Sequence, residues 1–291
     1  EPINFSKAVK KNTKLFFTES LGNPKLDVVD IEEISKYSKN HKIPLMVDNT
    51  VPSPALLNPI KHGANIVIHS LTKYINGNGT SLGGVIIDAG TFDWSNDKFP
   101  EFTEPSPGYH GLVYSEVIGS ASYIAKVRIE GLRDLGGSLS PYNAFQILQG
   151  LETLDVRMKK HSENALNLAK WLETRKEVEW VNYPGLKSSK YFNLSKKYLS
   201  KGQSGIITFG VKGGYENAKI VSDKTSLFSL LANIGDTKSL IIHPASTTHQ
   251  QLNEHEQTSS GVTKDLIRLS VGIEDIDDLK QDLLNAFSYI K

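Results

Sequence analysis

Ser70-Leu71-Thr72-Lys73 follows the apolar run Ala64-Asn65-Ile66-Val67-Ile68-His69, so a lysine sits where a buried strand gives way to a loop. Lys73 lies 25 residues after Asp48, which ends a second apolar run, Ile43-Pro44-Leu45-Met46-Val47. Two apolar runs of strand length joined by one connecting segment read as a parallel βαβ unit. Such a unit delivers both polar residues to the carboxyl edge of one sheet, where open α/β sheets bind ligands.

An aspartate and a lysine at one sheet edge, with Ser70 and Thr72 beside the lysine, suit pyridoxal phosphate (PLP). A lysine amine is mostly protonated at neutral pH, with an unperturbed pKa of about 10.4. Burial favours its neutral form, which can attack an aldehyde. The pyridine nitrogen needs a negative charge beside it to stay protonated, and Asp48 can supply that charge. The phosphate needs short donors close to the lysine, and Ser70 and Thr72 are suitable. Ser-X-Thr-Lys alone is weak, because a lysine after a strand is usually a solvated loop residue. Asp48, one crossover upstream, tips the reading toward the cofactor.

Ser70-X-X-Lys73 also matches the acyl-serine motif of β-lactamases and penicillin-binding proteins. Those enzymes carry Ser-Asp-Asn and Lys-Thr-Gly elements as well. The nearest strings here, Ser222-Asp223-Lys224 and Lys224-Thr225-Ser226, depart from both. In that class the serine opens a helix, whereas here it ends a strand, so the acyl-serine reading is rejected.

The bulk numbers narrow the classes. With 291 residues there is room for two domains or one large one. Hydrophobic residues make up 38% and charged residues 22%, as in an ordinary globular chain. A formal charge of +1 gives no electrostatic footprint for nucleic acid or an anionic membrane. There are no cysteines, which excludes disulfides, thiolate catalysis and cysteine metal sites. A cytoplasmic location is expected, no metal site is expected, and no apolar run approaches the roughly 20 residues that span a bilayer.

Further along, Thr13 to Ser20 reads as a strand. Asp27 can cap a helix over Val28 to His41, with Ile31, Ile34 and Tyr37 on one face. Gly83 to Asp88 is a short strand, and residues 89 to 111 read as a long irregular loop. Tyr142 to Arg175 has few breakers except Gly150, and a helix this long suits a link between domains. Strands at Glu179–Asn182, Gly205–Val211, Leu240–His243 and Leu266–Val271 and a closing helix at Asp275–Ile290 form a smaller α/β unit. The expected division is 1–150, the later portion of a large cofactor-binding domain, and 151–291, a smaller C-terminal α/β domain.

Val47-Asp48-Asn49-Thr50 followed by His69-Ser70-Leu71-Thr72-Lys73-Tyr74 resembles the Cys/Met-metabolism family of PLP-dependent enzymes (fold type I). Other stretches carry the same resemblance: Glu19-Ser20-Leu21-Gly22-Asn23-Pro24, Tyr109 to Tyr114, Leu151 to Leu154, Ala232 to Leu240, His243 to His249 and Ile267 to Glu274. They are most similar to the branch of that family that acts on O-acetylhomoserine. The resemblance implies an α/β fold, the later part of a mostly parallel sheet domain followed by the smaller unit. It implies that Lys73 holds PLP through its amine, that Asp48 pairs with the pyridine nitrogen, and that Ser70 and Thr72 bond the phosphate. Asn23 matches an asparagine near the cofactor ring. Arg268 matches the arginine that clamps the substrate α-carboxylate, with Asn233 as a second contact. A bidentate guanidinium suits that planar group.

The activity implied is γ-replacement, in which sulfide takes the place of acetate on O-acetyl-L-homoserine to give L-homocysteine for methionine biosynthesis. A homotetramer with PLP sites shared between subunits is implied too. Cystathionine γ-synthase or methionine/cystathionine γ-lyase chemistry stays open, because the cofactor residues are common to all. A non-catalytic assembly subunit is a further alternative, against which Asp48, Lys73 and Arg268 together argue. Family members carry a long stretch before the point matching Glu1, with a glycine-rich phosphate turn, an aromatic that stacks on PLP, and a tyrosine and arginine for the neighbouring subunit. Residues 1–291 alone are therefore expected to bind PLP poorly. His243 is expected to be structural, the roles of His110 and Tyr114 are open, and Trp94, Trp171 and Trp180 read as packing residues.

Overall fold

The computed structural model describes residues 1–290 and contains two sheets. In the first, β1 (Phe16–Glu19), β2 (Leu45–Asp48) and β3 (Ile66–Ser70) run parallel, and β4 (Gly84–Asp88) closes the edge antiparallel to β3. Leu45, Val47 and Val67 enter the main core on one face, while Ile66, with Met46 and Ile68, packs on the other against Trp94, Phe99, Phe102 and Tyr114. Burial on both faces explains why β2 and β3 read as nearly continuous apolar runs. The register pairs Glu19 with Asp48 and Asp48 with Ile68, so the polar strand ends lie along one edge.

The second sheet has the order β5 (Val178–Asn182), β6 (Ile206–Val211), β9 (Leu266–Ser270), β8 (Leu240–Ile242), β7 (Ser229–Leu230). Only the β7–β8 pair is parallel. Ile267 and Leu269 of β9 point into a second core with Phe209 and Ile241, and strand alternation sends Arg268 to the opposite face.

Two expectations change. Helix Ile31–His41 is capped by Asp30, whose side chain accepts from the Glu33 N–H, and not by Asp27. Val28 pairs with Leu21 across an isolated bridge, which keeps residues 27–29 out of the helix, and Asp27 accepts from the Tyr191 hydroxyl at 2.6 Å. The long helix is two, Pro141–Glu152 and Leu154–Leu172, meeting at Thr153 with φ −106° and ψ 4°. The second helix places Leu154 and Met158 in the first core and Ala165, Leu168, Ala169 and Leu172 in the second. It therefore ties the two sheets together. The stretch from 89 to 111 is mostly irregular but contains a helical turn at Pro100–Thr103 and a 3-10 turn at Pro107–Tyr109. No helix among the described residues is long and apolar enough to cross a membrane.

Candidate active site

Ser70 ends β3, and residues Leu71–Ile75 wind into a wide turn in which Lys73 leaves helical geometry, at φ −90° and ψ −129°. The Asn76 N–H donates to the Leu71 carbonyl at 3.0 Å and the Gly77 N–H to the Lys73 carbonyl at 2.8 Å. Thr50 stitches this turn to the end of β2. Its N–H donates to Asp48 Oδ1 at 2.9 Å, and its hydroxyl accepts from the Ser70 N–H at 2.8 Å. Thr72 Oγ1 accepts from the Gly83 N–H at 3.1 Å and donates to the Gly83 carbonyl at 3.3 Å.

The Lys73 amine donates to Asn233 Oδ1 at 2.6 Å. The Asn233 carbonyl accepts from Arg268 Nη2 at 3.1 Å, and Asn23 Oδ1 accepts from Arg268 Nη1 at 3.3 Å. Lys73, Asn233, Arg268 and Asn23 thus form one hydrogen-bonded chain drawn from both sheets. Asn23 is fixed in turn by its N–H, which donates to Glu19 Oε2 at 3.1 Å.

Burial, and then the charge of Arg268, hold the Lys73 amine below the ordinary lysine range. Burial lowers Arg268 to about 10, so it remains a cation at neutral pH. Its Nε is buried and has no partner among the described residues. A desolvated guanidinium donor without an acceptor is costly, and an incoming carboxylate would satisfy it. The Glu19 carboxyl is raised by burial and by neighbouring Asp48, against the N–H of Asn23.

The structure brings together four of the seven residues picked from sequence (Lys73, Asn233, Arg268 and Asn23), and it joins Asp48 to Ser70 through Thr50. Thr72 lies one residue before the lysine, with its hydroxyl engaged by Gly83. Glu19 and Thr50 join the site through these contacts, and both lie within the motifs Glu19–Pro24 and Val47–Thr50 that carry the family resemblance. His243 is structural: its two ring nitrogens are bonded to Ser246 Oγ and the Lys264 carbonyl, each at 2.8 Å. Trp94 stacks on Tyr123 and Trp171 on Phe287, while Trp180 donates to Asp265. Tyr114 is buried and donates to Glu130 at 3.0 Å.

These residues fit PLP. Lys73 is a half-buried amine held below the ordinary lysine range, Asp48 offers a carboxyl group at the end of β2, and Ser70 offers a hydroxyl at the end of the adjacent β3. Arg268 adds an unpartnered cationic donor for an amino-acid carboxylate. No cluster that could hold a metal ion occurs among the described residues.

A family model described as Cys/Met metabolism PLP-dependent enzyme matches residues 1–288. The chain is 55% identical to an O-acetyl-L-homoserine sulfhydrylase of Leptospira meyeri, covering 100% of this chain and 68% of that protein. It is 49% identical to a homocysteine synthase of Schizosaccharomyces pombe, covering 98% and 67%. Among solved structures, a Campylobacter jejuni protein assigned as an O-acetylhomoserine (thiol)-lyase superposes with a TM-score of 0.95 at 48% identity, covering 99% of this chain and 69% of that one. That structure contains N'-pyridoxyl-lysine-5'-monophosphate.

Proposed function

The chain belongs to the Cys/Met metabolism family of PLP-dependent enzymes, and from that premise we propose that it exchanges the acetate of O-acetyl-L-homoserine for sulfide, giving L-homocysteine. The observation that carries this reading is the chain Lys73–Asn233–Arg268–Asn23 with its unpartnered Arg268 Nε, a carboxylate clamp set beside a reactive amine. The names of the relatives support the choice of substrate.

When bound, PLP supplies an electron sink for the charge that develops next to the substrate nitrogen. Lys73 would hold it through its amine. Lys73 would take a proton from Cα and move protons at Cβ as a general base, for which its lowered pKa suits it. Asp48 would hold the ring nitrogen protonated, Ser70 and Thr72 would bond the phosphate, and Asn23 would stand near the ring. Arg268 and Asn233 grip the α-carboxylate and orient Cγ, from which acetate departs and to which sulfide adds.

The chain is read as two domains, 1–150 and 151–291, a division that the nearby helix break at Thr153 supports. The substrate is a small molecule. The whole enzyme is read as a cytoplasmic homotetramer that binds no nucleic acid. An exposed apolar row on helix Pro141–Glu152, formed by Tyr142, Phe145, Leu148 and Leu151, supports self-association.

Assaying the holoenzyme with O-acetylhomoserine and, separately, sulfide, methanethiol or cysteine tests the reading. Homocysteine and acetate in equal amounts with sulfide is the expected result. Cystathionine formed faster from cysteine would favour a synthase, and no turnover with any donor would favour the non-catalytic subunit.

A further inference from the structure

The mechanism makes no use of Arg157, yet only 6% of this residue is exposed. A buried guanidinium is expensive unless paired, and among the described residues no carboxylate pairs with it. Its donors go almost entirely to backbone oxygens. Nη1 donates to the Tyr74 carbonyl at 2.8 Å, and Nη2 to the carbonyls of Ile75 at 3.2 Å and Gly150 at 2.7 Å. Nε donates to Thr153 Oγ1 at 3.0 Å. Two of these acceptors are the carbonyls of the two residues that follow Lys73, where the regular helical ladder is broken.

The surroundings are built for this reach. A Cβ on Gly150 would lie 2.1 Å from the Asn76 carbonyl oxygen, so only glycine lets the helix come so close. A Cβ on Gly77 would lie 2.3 Å from Arg157 Nη1. On the loop that carries Asn233, Gly235 (φ +78°) backs onto the Lys73 turn, and a Cβ there would lie 2.6 Å from the Tyr74 nitrogen. The backbone just after Lys73 is therefore gripped by Arg157 through the two carbonyls and backed closely by the loop that bears its side-chain partner.

We propose that Arg157 is a positioning residue for Lys73, fixing the Tyr74 and Ile75 carbonyls and with them the direction from which the Lys73 amine meets Asn233 and the substrate. This rests on the assignment of Lys73 above. A lysine at 157 would keep the charge but lose the planar fork that reaches several carbonyls at once.

The test compares Arg157→Gln, Arg157→Lys and Thr153→Val holoenzymes. Readouts are the fraction of cofactor fixed on Lys73 by borohydride, the pH midpoint of the bound cofactor's visible band, kcat and KM, and the melting temperature. Arg157→Gln should lower kcat per bound cofactor by about 10- to 100-fold, because a misplaced reacting group loses orientation. Its KM for O-acetylhomoserine should stay within about threefold. Its band midpoint should move by at least about half a pH unit, because the environment of the amine changes. Arg157→Lys should recover part of the kcat, and Thr153→Val should shift the same quantities less. If Arg157→Gln does not fold, the other two variants carry the test. A lowered melting temperature with kcat per cofactor, KM and midpoint all at wild-type values would overturn the proposal. Should the wild type not turn over O-acetylhomoserine, the reduction and band titration still report on Lys73, so the two failures remain distinct.

Discussion

Lys73 and Asn233 lie 160 residues apart in the chain, yet the lysine amine sits 2.6 Å from the asparagine side-chain oxygen. The contact joins the end of the first sheet to a loop of the second. It places the proposed base and the proposed carboxylate clamp in one unit, because the Asn233 carbonyl also accepts from Arg268. Replacing Asn233 with alanine removes the side chain but leaves that carbonyl. Loss of a hydrogen bond to a charged group is worth about 1.5–3 kcal/mol, so kcat/KM should fall roughly 10- to 100-fold with cofactor content unchanged. Steady-state kinetics beside cofactor absorbance check this, and an unchanged kcat/KM would contradict it.

Arg268 should be less replaceable. Its two contacts to asparagine oxygens aim the guanidinium, and the unpartnered Nε waits for an acceptor. Truncating one partner of a buried charged pair costs about 2–5 kcal/mol, so Arg268→Leu should lose about 30-fold or more in kcat/KM for the amino-acid substrate. Arg268→Lys should restore little, because an ammonium lacks the fork. Full activity in the lysine variant would refute the bidentate clamp.

The Lys73 titration has a definite sign. Burial and the nearby Arg268 cation both penalise the ammonium form, so the neutral amine appears at a lower pH than for an ordinary lysine. In cofactor-free protein, labelling of Lys73 by an amine-directed reagent should therefore show a midpoint below the ordinary lysine value of 10.5. Arg268→Leu should move the midpoint upward. A downward move, or none, would show that the arginine does not act on this amine.

His161 supplies a stability signature away from the chemistry. It is fully buried, its Nδ1 lies 2.7 Å from the Val271 carbonyl oxygen, and burial pushes it down from 6.5 to about 4. The folded protein keeps the ring neutral while the unfolded chain takes up a proton below about 6.5. Stability from this group is thus constant above that pH and is lost as pH falls toward about 4. Between pH 7.5 and 5 the loss amounts to about 2 kcal/mol. Urea midpoints at the two pH values should converge in His161→Gln relative to wild type; an unaltered difference would reject the assignment.

The readability of the sequence followed local physics. β2 and β3 were legible because both faces of their sheet are buried, and Asp48 and Lys73 stood out as polar ends of apolar runs. Arg268 was legible through the family resemblance, and its neighbours Ile267 and Leu269, which point into the core, send it to the other face. The cap at Asp30 was missed because Asp27 offers the same chemistry three residues earlier, and only the Leu21–Val28 bridge decides between them. The helix break at Thr153 was hidden because neither proline nor glycine stands there, and Gly150, three residues earlier, packs on the Asn76 backbone. Between 112 and 140 no clear period marks the elements, and the structure has short helical turns there and a π-helical segment at Val127–Asp134. The link from Arg157 to the Lys73 turn gave no local signal, since Tyr74 and Ile75 lie more than 80 residues away.

The most direct measurement is to reduce the holoenzyme with borohydride, digest it, and find by mass spectrometry which lysine carries the cofactor, alongside Lys73→Ala. The pyridoxyl mass is expected on the peptide containing Lys73, and neither that mass nor homocysteine formation in the variant. The same mass on another lysine, or homocysteine formation surviving in Lys73→Ala, would contradict the assignment of Lys73.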